Sequence, residues 1–226
     1  MIGWTSLRAA DGHRLAAWQA VPPAGTPIRG AIVVLPEIFG VNAHIRSLCD
    51  RYAAQGWSAI APSLFDRAEP AVELGYDAAA MARARDLKAG IRDADALLDV
   101  QVAVDAAAAG RHAVAVIGFC WGGTLAWLAA ARLPGVRAAV AYYGTQIASH
   151  LGETPRAPVL LHFGAHDAHI PPDHVDAIAR AHPRIALHRY PAGHGFNCDA
   201  RAAFEPASAA LAAERTHAFL KEALPC

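Results

Sequence analysis

The chain has 226 residues, 54% of them hydrophobic, with 20 basic and 20 acidic side chains and no formal net charge. That is enough apolar mass for one sizeable core, so residues 1–226 are expected to form one domain. The basic residues are scattered, which excludes the charge pattern of a nucleic-acid or anionic-membrane binder. No apolar run reaches the roughly eighteen residues of a membrane span, and Met1 to Ser6 lack a signal-peptide core, so a cytoplasmic protein is expected.

In chain order, Trp4 to Ala9 and Arg14 to Ala20 alternate as short strands, with Asp11-Gly12 between them as a type I′ hairpin signal. Val21 to Gly30 is a proline- and glycine-rich loop. Ala31 to Leu35 is a continuous apolar run and so a central strand, ending in the loop Pro36-Glu37-Ile38-Phe39-Gly40. Helical spacing from His44 to Gln55 stops at Gly56, and Trp57 to Ala61 is the next strand. Pro62 to Asp77 is irregular and leads into an Ala/Arg-rich helical stretch to Lys88, an excursion able to cap a site as a partial lid. A helix over Ile91 to Ala109 precedes the strand Ala113 to Ile117. Further strands fall at Val136 to Ala141, Pro158 to Phe163 and Arg184 to Tyr190. Helices fall at Pro171 to Ala181 and Glu205 to Glu222. Strands alternating with helices, with no internal repeat, imply an α/β chain built on a mainly parallel sheet covered on both faces.

The stretch around which the rest is arranged is Gly118-Phe119-Cys120-Trp121-Gly122-Gly123. It joins an apolar strand to a run of strong helix formers, Thr124 to Ala131, and reads as the nucleophile elbow of an α/β-hydrolase with cysteine in place of serine. The turn is tight enough that side chains two residues either way would collide, hence the glycines. Cys120 then projects at a helix N-terminus, which favours a thiolate and an oxyanion. Two more strand ends supply partners in the order this fold demands: Asp167 in Gly164-Ala165-His166-Asp167, and His194 in Gly193-His194-Gly195-Phe196. Asp167 would hold the His194 tautomer and stabilise the imidazolium. The oxyanion donors are expected to be the backbone N–H groups of Trp121 and Ile38. The four cysteines (Cys49, Cys120, Cys198, Cys226) show no metal-ligand spacing, so reduced thiols and neither metal nor cofactor are expected. His162, His166 and His169 read as a loop after a strand rather than as ligands.

Together Glu37-Ile38-Phe39-Gly40-Val41-Asn42, the cysteine elbow, Tyr142-Tyr143-Gly144, the Asp167 loop and Gly193-His194-Gly195-Phe196 resemble the dienelactone hydrolase (carboxymethylenebutenolidase) family over nearly the whole chain. The resemblance implies a monomeric α/β-hydrolase of aromatic-compound degradation. Its triad would be Cys120–His194–Asp167, opening the enol-lactone ring of a dienelactone to maleylacetate. It also implies that Glu37 lies near the thiol, disfavours the thiolate by like-charge repulsion, and takes the thiol proton when substrate binds.

Family enzymes acting on dienelactone bind the substrate carboxylate with arginines, one of them shortly after the triad histidine. Here Gly195 to Ala200 contains none, Arg201 comes later, and Arg83 and Arg85 in the excursion are further candidates. A neutral or bulkier lactone or ester is therefore expected, in a pocket lined by Phe39, Trp121 and Tyr143. Cysteine narrows the class independently. A thiolate leaves more easily than an alkoxide, so the tetrahedral intermediate collapses backward unless the substrate's own leaving group is good, as in enol lactones, aryl esters and thioesters. The competing readings are a thioesterase or acyltransferase on the same triad, and a non-catalytic binding or thiol-redox protein that kept the fold.

Overall fold

The computed structural model describes residues 2–224; Cys226, counted above among the reduced thiols, lies outside them. Its strands are β1 (Ile2–Arg8), β2 (Arg14–Ala20), β3 (Gly30–Leu35), β4 (Trp57–Pro62), β5 (Val114–Phe119), β6 (Val136–Tyr142), β7 (Val159–Gly164) and β8 (Ala186–Tyr190). The helices are α1 (Ala43–Ala54), α2 (Ala78–Ala89), α3 (Asp93–Ala108), α4 (Trp121–Arg132), α5 (Pro172–Ala181) and α6 (Pro206–Ala223). One sheet runs in the order β1-β2-β4-β3-β5-β6-β7-β8. β1 and β2 are antiparallel to their neighbours at one edge, and every pairing from β4 to β8 is parallel. This is the α/β-hydrolase fold expected from the alternation of strands and helices.

The central strands β3 and β5 are buried along their whole length, which is why they read as unbroken apolar runs rather than alternating ones. The helix after the elbow, α4, is buried from Trp121 to Ala131 and packs on β5 and β6 and against α3. Its small residues let it lie close to the sheet. On the opposite face α1 and α6 share a groove.

Two local expectations change. The β1–β2 turn is not a two-residue type I′ turn. Ala9 N–H donates to His13 O (2.9 Å) and Gly12 N–H to Ala9 O (2.9 Å), leaving a three-residue loop with Gly12 at φ +88°. A type I turn followed by a left-handed glycine uses the same Asp-Gly pair one position later. His162 is no loop residue either. It sits inside β7, fully buried, bonded through Nδ1 to the Tyr190 hydroxyl (2.8 Å) and through Nε2 to Thr216 Oγ1 (3.0 Å).

Candidate active site

The carboxyl ends of β3, β5, β6, β7 and β8 are adjacent in the sheet, and that rim is where an open parallel sheet places its crevice. Cys120 follows β5 in a left-handed conformation, φ 55° and ψ −115°, a strain of roughly 1–3 kcal/mol for a non-glycine residue. The neighbours make the turn possible by close approach. A Cβ on Gly118 would stand 1.8 Å from Gly122 O, and one on Gly122 would stand 2.4 Å from Leu35 O. Gly122 N–H also donates to Pro36 O (3.2 Å), tying the elbow to the loop that carries Ile38. The N–H groups of Ile38 and Trp121 have no acceptor among the described residues. The Trp121 indole N–H donates to Asp93 Oδ1 (2.9 Å), which also receives Lys88 Nζ (3.1 Å).

His194 and Asp167 meet at the ends of β8 and β7. His194 Nδ1 donates to Asp167 Oδ2 at 2.8 Å, and both side chains are nearly inaccessible to solvent. The other carboxylate oxygen accepts the backbone N–H of His169 (2.8 Å). Burial pulls the His194 ring toward neutrality, but a thiolate at Cys120, once formed, and the bond to Asp167 outweigh it and hold the imidazolium well above its usual range. With Nδ1 committed to Asp167, Nε2 is the nitrogen available to the cavity.

That cavity, about 300 Å³, suits a small organic molecule and is lined by Cys120, His194, Ile38, Phe39, Trp121 and Arg201 among others. Arg201 answers the question of the missing arginine. Successive turns return the chain after His194: Cys198 N–H donates to Gly195 O (3.0 Å) and Arg201 N–H to Cys198 O (3.1 Å). The Arg201 guanidinium packs against Gly195, where an added Cβ would lie 2.5 Å from Nη1, and over the Phe39 and Tyr76 rings. Its Nη1 donates to Glu37 Oε1 at 2.9 Å. Glu37 is thus ion-paired with Arg201 in a buried site, and its second oxygen, Oε2, has no partner. Arg201, named from the sequence as the arginine that comes after Ala200, is thus brought back to the cavity by these turns.

Of the other arginines, Arg85 lines the cavity and Arg83 does not; Arg83 pairs with Glu69 at the surface. Tyr143 is not a pocket residue either. It is fully buried beside His194, ring centroids 5.0 Å apart, at φ 40° and with its hydroxyl unpartnered. Residues that sequence reasoning passed over also line the cavity: Met81 and Lys88 on α2, Thr145 and Gln146 beyond β6, and His169 beyond β7. Met81, Arg85 and Lys88 fall at i, i+4 and i+7, one face of a helix, and that spacing separates Arg85 from Arg83.

Comparison with known proteins gives the family and the fold. The model of the dienelactone hydrolase family matches residues 15–224. A carboxymethylenebutenolidase of Pseudomonas putida is 33% identical over 95% of this chain and 94% of its own length. A protein of Salmonella typhimurium assigned as a carboxymethylenebutenolidase is 35% identical, covering 92% of this chain and 82% of that one. A crystal structure from Klebsiella pneumoniae, assigned as a dienelactone hydrolase, superposes with TM-score 0.82 at 32% identity, over 98% of this chain and 99% of that one. The chain belongs to the dienelactone hydrolase family, and is an ester or lactone hydrolase of the α/β-hydrolase fold.

Proposed function

We propose that this hydrolase opens enol lactones or cleaves activated esters that carry a carboxylate, with Cys120 as nucleophile and a thioester acyl-enzyme as intermediate. One observation carries the reading. A cysteine in strained backbone at the N-terminus of α4 lines the same cavity as an imidazole whose Nδ1 is bound to a buried carboxylate. Cys120 Sγ attacks the carbonyl carbon, and the resulting oxyanion is received by the N–H groups of Ile38 and Trp121. As the C–O bond breaks, its electron pair stays on the leaving oxygen, which takes a proton from His194 Nε2. Water, deprotonated by the same nitrogen, then attacks the thioester carbonyl; the C–S bond breaks, the acid is released, and the thiolate recovers its proton from Glu37.

Arg201 supplies the substrate class. A substrate carboxylate competes with Glu37 for the guanidinium, and Glu37, already lacking a partner at Oε2, is freed to accept the thiol proton. An anionic substrate thus arms the cysteine further, while a neutral activated ester is attacked at the lower basal rate. Arg85, across the cavity on α2, has no ion-pair partner among the described residues and offers a second cation. The test compares kcat/KM for dienelactone and for a neutral aryl ester. Arg201→Gln should lower the ratio by about ten- to a hundredfold, the weight of one hydrogen bond to a charged group. An unchanged ratio would return the neutral-substrate reading.

A further inference from the structure

His169 has no part in the reaction described above, yet it is built into the site. It stands two residues after Asp167, in the turn between β7 and α5, and its backbone N–H holds the Asp167 oxygen that His194 leaves free, at 2.8 Å. Its ring meets the His194 ring edge-on, with centroids 4.9 Å apart and planes at 78°, and it lines the cavity at the solvent-exposed rim. Neither ring nitrogen has a hydrogen-bond partner among the described residues.

The position matters because of where a leaving group must lie. His194 Nε2 protonates the departing oxygen, so that oxygen sits within hydrogen-bond reach of the His194 ring. A second ring packed on His194, and bordering the same cavity, adjoins the volume that the leaving group occupies on its way to solvent. The charged groups around His169 are His194, Asp167, Arg85 and Arg201. Partial burial, with the positive charges of His194 and the two arginines, holds the imidazole below its ordinary value. A neutral ring presents one N–H donor without placing another cation against the imidazolium.

We propose that His169 determines specificity on the leaving-group side. Its ring N–H donates to the departing enolate or phenolate oxygen while His194 delivers the proton. In that step the Cys120 sulfur has bonded to the carbonyl carbon and the C–O bond breaks. The proton travels from His194 to oxygen, and His169 keeps its own. The contact counters the main weakness of a thiol nucleophile, the backward collapse of the tetrahedral intermediate, by helping poorer leaving groups depart. It rests on the acyl-enzyme reading above.

The test uses two acetate esters that form the same acetyl-enzyme: p-nitrophenyl acetate, whose phenolate leaves unaided, and phenyl acetate, whose phenolate needs help. His169→Phe keeps a ring against His194 and removes the N–H. For phenyl acetate kcat/KM should fall about tenfold, and for p-nitrophenyl acetate only about twofold, the scale of one neutral hydrogen bond. His169→Gln, which retains a donor, should recover most of the phenyl acetate rate. Equal losses on both esters, or none on either, would overturn the role of His169 while a nitrophenol burst that needs Cys120 leaves the acyl-enzyme standing. A wild-type enzyme lacking that burst would overturn both.

Discussion

Cys120 differs from the other described cysteines by position rather than by type. Burial pushes the thiols of Cys49 and Cys198 up, which leaves them protonated and unreactive at neutral pH. Cys120 is partly open to the cavity, at a helix N-terminus beside His194. Iodoacetamide at pH 7 should therefore alkylate Cys120 ahead of Cys49 and Cys198, as peptide mapping would show. Activity should fall in step with that label. Cys120→Ala should lose both label and turnover and keep its far-UV circular dichroism. Retention of even a tenth of the rate in that variant would give the nucleophile's role to another residue. The three residues of the constellation were legible one at a time, each from glycines or a strand end next to it. The pairing of Arg201 with Glu37 was not, because it depends on turns that no hydrophobic period records.

Among the elements, α2 is the one whose packing explains least of its sequence. Only Ala84 is buried, and the helix is held by an Asp77 cap on Ala80 N–H (2.8 Å) and by Lys88 at the Asp93–Trp121 contact. Lys88 Nζ lies 4.8 Å from the Trp121 ring, so α2 reaches the residue next to Cys120. A helical stretch was readable here, but alanine at most positions hides which face turns inward. Arg83 and Arg85, about 200° apart around the axis, cannot both do so. Arg85→Ala should raise KM for a carboxylate-bearing lactone about tenfold, whereas Arg83→Ala should change it by less than about twofold. Equal effects would mean that α2 does not address the substrate through one face. The helix α4 is the opposite case: its buried small residues and its strand–glycine–helix context made its location plain.

At the scale of the molecule, a sheet with its apolar strands in the middle brings the candidate triad together from strand ends far apart in sequence. Its order follows from alternating strands and helices, and the parallel core was legible for that reason. The polar network beneath the site was not legible, since a histidine in a strand gives no sign of its partners. His162 links β7 to Tyr190 on β8 and to Thr216 on α6, and Thr216 also bonds the Tyr142 hydroxyl (2.7 Å). Burial depresses His162 to about 3, the neighbouring charge on His188 adding to the effect. The unfolded chain takes up that proton below about pH 6.5 and the folded chain does not until near pH 3, so stability is full above 6.5 and is lost as pH falls. By pH 5 this one group should cost about 2 kcal/mol. Urea midpoints at pH 7.5 and pH 5 should converge more in His162→Gln than in the wild type. An equal drop in both would place the acid sensitivity elsewhere.

The covalent step is the claim on which the rest depends, and peptide mass spectrometry reads it directly. The enzyme is mixed with p-nitrophenyl acetate, quenched in acid during steady turnover and digested. One acetyl group is expected, on the peptide that contains Cys120, absent from Cys120→Ala and persisting longer in Asp167→Asn, where His194 loses the anchor it needs to activate water. An unmodified Cys120 peptide throughout turnover, or an acetyl group carried by a different residue while activity continues, would contradict it.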